Sequence, residues 1–206
     1  MSPDHLLALV GFAFASSITP GPNNLLVLTS GLNHGVARSL PVIAGISFGF
    51  VVMLIAVGIG LGSIIQSNPG VHSAVKFFGL AYMLWLAWKV AASAPTLNSE
   101  NGASAPKPLS ALTGAAFQWV NAKAWAVALS AIAAFSAPDA VAERLARIAG
   151  VYSIVTLASL TVWAAFGTLM RRLIDSPSKM RAFNIAMALL LVASAAPVAY
   201  DLAVNM

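Results

Sequence analysis

The sequence predicts an all-α integral membrane protein: six transmembrane helices arranged as a 3+3 inverted repeat, with broken helices in segments one and four. Three observations carry this. Only 8% of the residues are charged and the mean hydropathy is +0.86, against about 25% charged residues in a soluble domain. Six apolar stretches each reach the roughly 20 residues that a bilayer crossing requires. Segments one and four are interrupted by helix-breaking or polar residues.

The six segments run over 5–30, 40–65, 71–92, 109–136, 148–170 and 180–201. The first is not expected to be a removable signal, because Met1-Ser2-Pro3-Asp4-His5 has no basic region and no cleavage-type boundary follows. Segments one to three form a first repeat, 1–92. A Ser/Ala/Pro/Asn-rich stretch, 93–108, reads as a flexible linker. Segments four to six form a second repeat, 109–206, and the whole chain is one transmembrane domain.

The halves match in order. Lys76-Phe77-Phe78-Gly79-Leu80-Ala81-Tyr82-Met83-Leu84 parallels Arg181-Ala182-Phe183-Asn184-Ile185-Ala186-Met187-Ala188-Leu189. Gly11 and Phe14 parallel Gly114 and Phe117, and the spacing of Gly45 and Gly62 repeats in Gly150 and Gly167. Three spans per copy is an odd number, so the second copy enters from the opposite face. That is the architecture of many secondary transporters, whose sites lie between the repeats where helices break.

The formal charge of +5 follows a positive-inside bias. The 1–2, 3–4 and 5–6 connections hold Arg38, Lys89, Lys107, Arg171, Arg172, Lys179 and Arg181, against Lys76, Arg144 and Arg147 opposite. The basic connections, and with them the linker, are expected in the cytoplasm and both termini outside, in a multi-pass bacterial inner-membrane protein. No basic run interleaves with aromatics, so nucleic acid is not an expected partner. The absence of cysteine excludes disulfides, thiolate metal sites and Cys nucleophiles. His5, His34 and His72 lie at segment ends with no ligand spacing among them, so no metal or other cofactor is expected.

Segment one breaks at Pro20-Gly21-Pro22-Asn23-Asn24. Proline removes an amide donor and clashes with the preceding turn, and it pushes residue 19 toward extended geometry. Pro22 suits the first position of a new helix. The resulting half-helix would aim its free amides and positive dipole end at an anionic group. Segment four holds Gln118-Trp119-Val120-Asn121-Ala122-Lys123. Lys123 is the one charge well inside a span, at a cost of about 2.5–3.5 kcal/mol on insertion scales. No carboxylate is embedded to meet it, so a substrate anion is its expected partner. The candidate substrate-binding residues are Pro20, Gly21, Pro22, Asn23, Asn24, Gln118, Trp119, Asn121 and Lys123.

These residues resemble the LysE/RhtB family of bacterial amino-acid exporters. The likeness lies in Pro20-Gly21-Pro22-Asn23 with Gly31, Gly35 and Arg38 behind it, in Asn121-Ala122-Lys123-Ala124, and in Phe78 to Lys89. It covers about the whole chain. One departure stands out: Ala122 occupies a position where the family usually has proline, which bears on whether segment four breaks. The resemblance implies secondary-active export of amino acids or related metabolites by alternating access, powered by a gradient of H+ or Na+. The missing carboxylates favour neutral amino acids over cationic ones, and leave Lys123 as the side chain available to carry a proton.

Other readings stand beside this one. The Pro-Gly-Pro break is also explicable as a structural kink, and Lys123 as a residue snorkelling to an interface. Gly45/Gly49 and Gly58/Gly62 are Gly-x-x-x-Gly pairs that suit close helix packing or a homo-oligomer contact. A purely structural or lipid-facing role is a second class. A third, an intramembrane serine hydrolase, rests on Gly45-Ile46-Ser47-Phe48-Gly49, with Ser47 as nucleophile and only Lys123 as base.

Overall fold

The computed structural model describes residues 2–61, 67–92, 108–135, 141–174 and 176–205. The described residues form helices and no strand: α1 (Pro3–Ile18), α2 (Pro22–His34), α3 (Val36–Gly58), α4 (Pro69–Ala91), α5 (Ala111–Val120), α6 (Ala122–Phe135), α7 (Val141–Leu173) and α8 (Pro177–Asn205). The linker expected over 93–108 lies outside the described residues except for its last position.

Segment one is α1 and α2, bent by 58° at the proline break. Taken together they are long and apolar enough to cross a bilayer, as are α3 and most of α7 individually. Segment four is α5 and α6, and it breaks without the proline. Asn121 leaves the helix at φ −89°, ψ 103°, and its Oδ1 accepts the Lys123 backbone N–H at 3.1 Å. An asparagine at the N-cap satisfies a free amide of the next helix. Here it starts α6 as proline would, while itself ending α5.

Two boundaries differ from expectation. Helix α2 runs to His34 and α3 restarts at Val36, so Gly35 alone joins them, at φ +81°. That left-handed value is open to glycine at little cost, and the Ser30 and Ser39 hydroxyls bond across the turn at 2.8 Å. Helix α7 begins seven residues before the fifth segment was expected to. Its charged first turns are helical, closed by an i,i+4 ion pair between Glu143 and Arg147.

The polarity of the fold is inverted relative to a soluble protein. Gln118 is 0% and Asn121 1% exposed, whereas Phe48 is 68%, Ile154 73% and Leu112 79% exposed. Apolar surface of this extent marks contact with lipid or another apolar medium. Lipid tails give helices little hydrophobic reason to associate, so close approach of small residues and interhelical hydrogen bonds must hold the bundle. Both are present. Most of α2 is buried, and it packs most extensively on α7. A Cβ at Gly31 would overlap the Ala164 carbonyl, and one at Gly167 would overlap that of Leu28. Thr168 Oγ1 adds a bond to the Gly31 carbonyl at 3.0 Å.

Helix α3 packs in the same way on α5. A Cβ at Gly45 or Gly49 would collide with the backbone of Ala111 or Ala115. Gly58 instead abuts Leu145 of α7, so it faces a different neighbour from Gly45 and Gly49. The Gly45/Gly49 face is therefore filled within the chain. Close packing inside the chain accounts for that pair. Gly62 lies outside the described residues. Helices α4 and α8 pack together and enclose a third apolar cluster with α2, around Leu25, Leu28, Ala87 and Leu191.

The close approach sets a prediction. Gly31→Ala forces α2 from α7 and should cost about 1–3 kcal/mol as overpacking. Gly150→Ala, with nothing within 4 Å of the new Cβ, should be neutral or slightly stabilising. Melting midpoints of the two purified variants in one detergent check this, with only Gly31→Ala expected to fall.

Candidate functional site

A broken helix frees the carbonyls of its last turn and the amides of the next. At the end of α1 and the break that follows it, four carbonyl oxygens, those of residues 17 to 20, each meet a side-chain donor. Asn24 Nδ2 donates to the Ser17 carbonyl at 2.8 Å. Trp163 Nε1, from α7, donates to Ile18 at 3.2 Å. Lys123 Nζ donates to Thr19 at 2.6 Å and reaches Pro20 at 3.4 Å. The lone embedded charge thus sits at the negative end of the α1 dipole, clasping one break from the edge of the other.

Next to it, α2 starts on Pro22 with no side-chain cap, because its N-cap is Gly21 in extended backbone. The missing side chain makes room: a Cβ at Gly21 would lie 2.8 Å from Lys123 Cδ and 3.0 Å from Nζ. An ammonium and an uncapped helix N-terminus therefore share one corner. Both favour an anion.

A second polar junction ties the two broken segments together. Asn23 and Gln118 exchange amide bonds at 2.9 and 3.1 Å. Asn121 Nδ2 also donates to Asn23 Oδ1, at 3.1 Å, and Gln118 Nε2 reaches the Gly114 carbonyl at 3.0 Å. Beside this network lies a cavity of about 40 Å³, enough for a few water-sized groups. Asn23, Asn24, Asn121 and Lys123 line one part; Ser16, Ser17, Tyr152 and Thr156 line another; Phe50, Ala124, Val127 and Leu160 complete it. No carboxylate is among them.

The expected residues converge, with their tasks divided. Asn23, Asn24, Asn121 and Lys123 reach the cavity, and Gly21 and Pro22 shape its corner. Pro20 supplies a carbonyl to Lys123. Gln118 is fully buried and orients Asn23. Trp119 stands apart: its ring packs edge-on against Trp125 at 6.0 Å, and its carbonyl takes the Trp125 indole N–H at 2.9 Å. Ser47, the hydrolase candidate, is buried within α3, off the cavity, and its Oγ bonds nothing among the described residues. The sequence reading missed Ser16, Ser17, Phe50, Tyr152, Thr156 and Trp163 as site residues. The two serines carried a signal, since they directly precede the break.

The LysE type translocator family matches residues 14–202. Two similar proteins are the cysteine/O-acetylserine efflux proteins of Escherichia coli (strain K12) and Shigella sonnei (strain Ss046). Each is 37% identical over 204 residues, covering 97% of this chain and 100% of the relative. That of E. coli O139:H28 (strain E24377A / ETEC) is 36% identical over the same extent. No solved structure matches the chain. Family and relatives alike are transport proteins, so the chain is a translocator and not an enzyme.

The corner shared by Gly21 and Lys123 yields a prediction. Gly21→Ala should leave membrane abundance unchanged, because the group it displaces is the end of a flexible side chain. It should lower transport about tenfold or more by moving the ammonium. Transport assayed at matched abundance decides this.

Proposed function

As the chain belongs to the LysE type translocator family, we propose that it exports a small neutral amino acid, of the cysteine or O-acetylserine kind, from the bacterial cytoplasm. The reading rests on one observation above all: an ammonium held, among the described residues, only by backbone carbonyls, at the wall of a cavity whose lining includes no carboxylate. A zwitterion supplies what is absent. Its carboxylate would meet Lys123 Nζ and the amides that open α2, while Asn121 Oδ1, which accepts only the Lys123 backbone N–H among the described residues, bonds its ammonium. A cationic side chain would find no counter-charge, which disfavours lysine and arginine as cargo.

Transport would proceed by alternating access within a six-span 3+3 inverted repeat in the inner membrane, both termini outside, one repeat rocking against the other. The two breaks, one from each proposed repeat, are supported as the pivot by the bonds that join them. A carboxylate arriving at Lys123 would take the ammonium from the Thr19 carbonyl and loosen that junction. An ion gradient, of H+ or Na+, would drive the cycle.

Efflux from cells loaded with amino-acid dipeptides tests the proposal. Wild type should export cysteine or O-acetylserine well above an empty vector, and Lys123→Ala should lose at least tenfold of that excess at equal membrane abundance. Efflux no faster than the empty vector across a panel of neutral amino acids contradicts the reading.

A further inference from the structure

We propose that the hydroxyls of Ser16, Ser17, Tyr152 and Thr156 form the subsite that reads the substrate side chain and selects short, uncharged, polar ones. The inference rests on the export reading of the same cavity and adds the residues that set its specificity. All four line the cavity. Ser16 and Ser17 belong to the last turn of α1, one turn before the carbonyls that hold Lys123. Tyr152 and Thr156 are four residues apart on α7, hence on one face. Tyr152 is 1% and Thr156 7% exposed.

Proton accounting shows what this group offers. Ser16 gives its one hydroxyl proton to its own helix, to Phe12 O at 2.8 Å or Ala13 O at 3.1 Å. In the 3.3 Å contact between Ser16 Oγ and Tyr152 Oη, the proton is therefore the tyrosine's. Tyr152 Oη keeps its lone pairs and acts toward a ligand as an acceptor. Ser17 Oγ and Thr156 Oγ1 lie 3.4 Å apart, at the long limit of a bond, and share one proton at most. Each has no other side-chain bond among the described residues, so one of them retains a donor. The subsite presents an acceptor and a donor, both neutral.

A ligand hydroxyl or thiol satisfies this pair, and an ester oxygen takes its donor. An aliphatic side chain leaves the remaining donor and the Tyr152 lone pairs dry and unmatched, a mismatch that sites built for polar groups reject strongly. A charged one meets no counter-charge. Length is limited as well. One helical turn, about 5 Å, separates the serines from the Lys123 anchor, which suits a side chain of few atoms and excludes long ones.

The experiment compares export of cysteine with export of α-aminobutyrate, which has a methyl in place of the thiol, in wild type, Tyr152→Phe, Thr156→Val and Thr156→Ser. The cysteine to α-aminobutyrate ratio should fall about tenfold in Tyr152→Phe and in Thr156→Val, and should recover in Thr156→Ser, at membrane abundance matched by immunoblot. If Thr156→Val does not reach the membrane, Tyr152→Phe and Thr156→Ser decide the matter. An unchanged ratio, or equal loss of both substrates, alongside robust wild-type export overturns the subsite and leaves the export reading standing. Wild-type export no greater than the empty vector overturns both.

Discussion

A helix cannot stop inside an apolar medium without finding partners for the backbone groups it frees. Much of this structure follows from meeting that demand at one place, the end of α1. The carbonyls of residues 17 to 20 lie together there, and three donors from three different elements answer them: Asn24 from α2, Trp163 from α7 and Lys123 from α6. Each donor fixes the position of its own helix. The break in segment one thereby organises the surrounding bundle, and the cost of embedding a lysine is offset where carbonyls and a helix dipole already favour a cation.

The second junction has a different character. Asn23, Gln118 and Asn121 are neutral amides that satisfy one another across the two broken segments. Neutral amides hold geometry without binding strongly to ions, which suits a frame. Lys123 holds its carbonyls through a single flexible side chain, which suits a part that lets go. Close approach of α2 to α7 and of α3 to α5 through glycine contacts leaves little slack in those helix pairs.

Much of this was legible in the sequence, for identifiable reasons. Prolines and glycine at 20–22 announce a break by backbone chemistry alone, and a lysine in an apolar span announces itself by cost. The break at Asn121 was harder to read. The expected proline is absent, and only the side-chain cap on Lys123 N–H reveals that asparagine serves instead. Asn24 lines the cavity, and its side-chain amide also holds the Ser17 carbonyl, a demand set by the helix end before it. Trp163, Tyr152 and Thr156 stayed hidden because each sits in an uninterrupted apolar helix, where nothing local distinguishes a site residue from packing. The helix boundaries at 35 and 141 moved for a similar reason: polar residues at a membrane surface extend helices as readily as they end them.

The central claim is that Lys123 exchanges its backbone carbonyls for the carboxylate of the cargo. The most direct measurement is the ligand-induced thermal shift of the purified protein in detergent. A ligand that binds only the folded state stabilises it by about 2.7 kcal/mol at a concentration one hundred times its Kd. O-acetylserine at millimolar concentration should raise the melting midpoint of wild type by several degrees and leave that of Lys123→Ala unmoved. The methyl ester of the same amino acid, which lacks the carboxylate, should shift neither. An equal shift in wild type and Lys123→Ala would contradict the account.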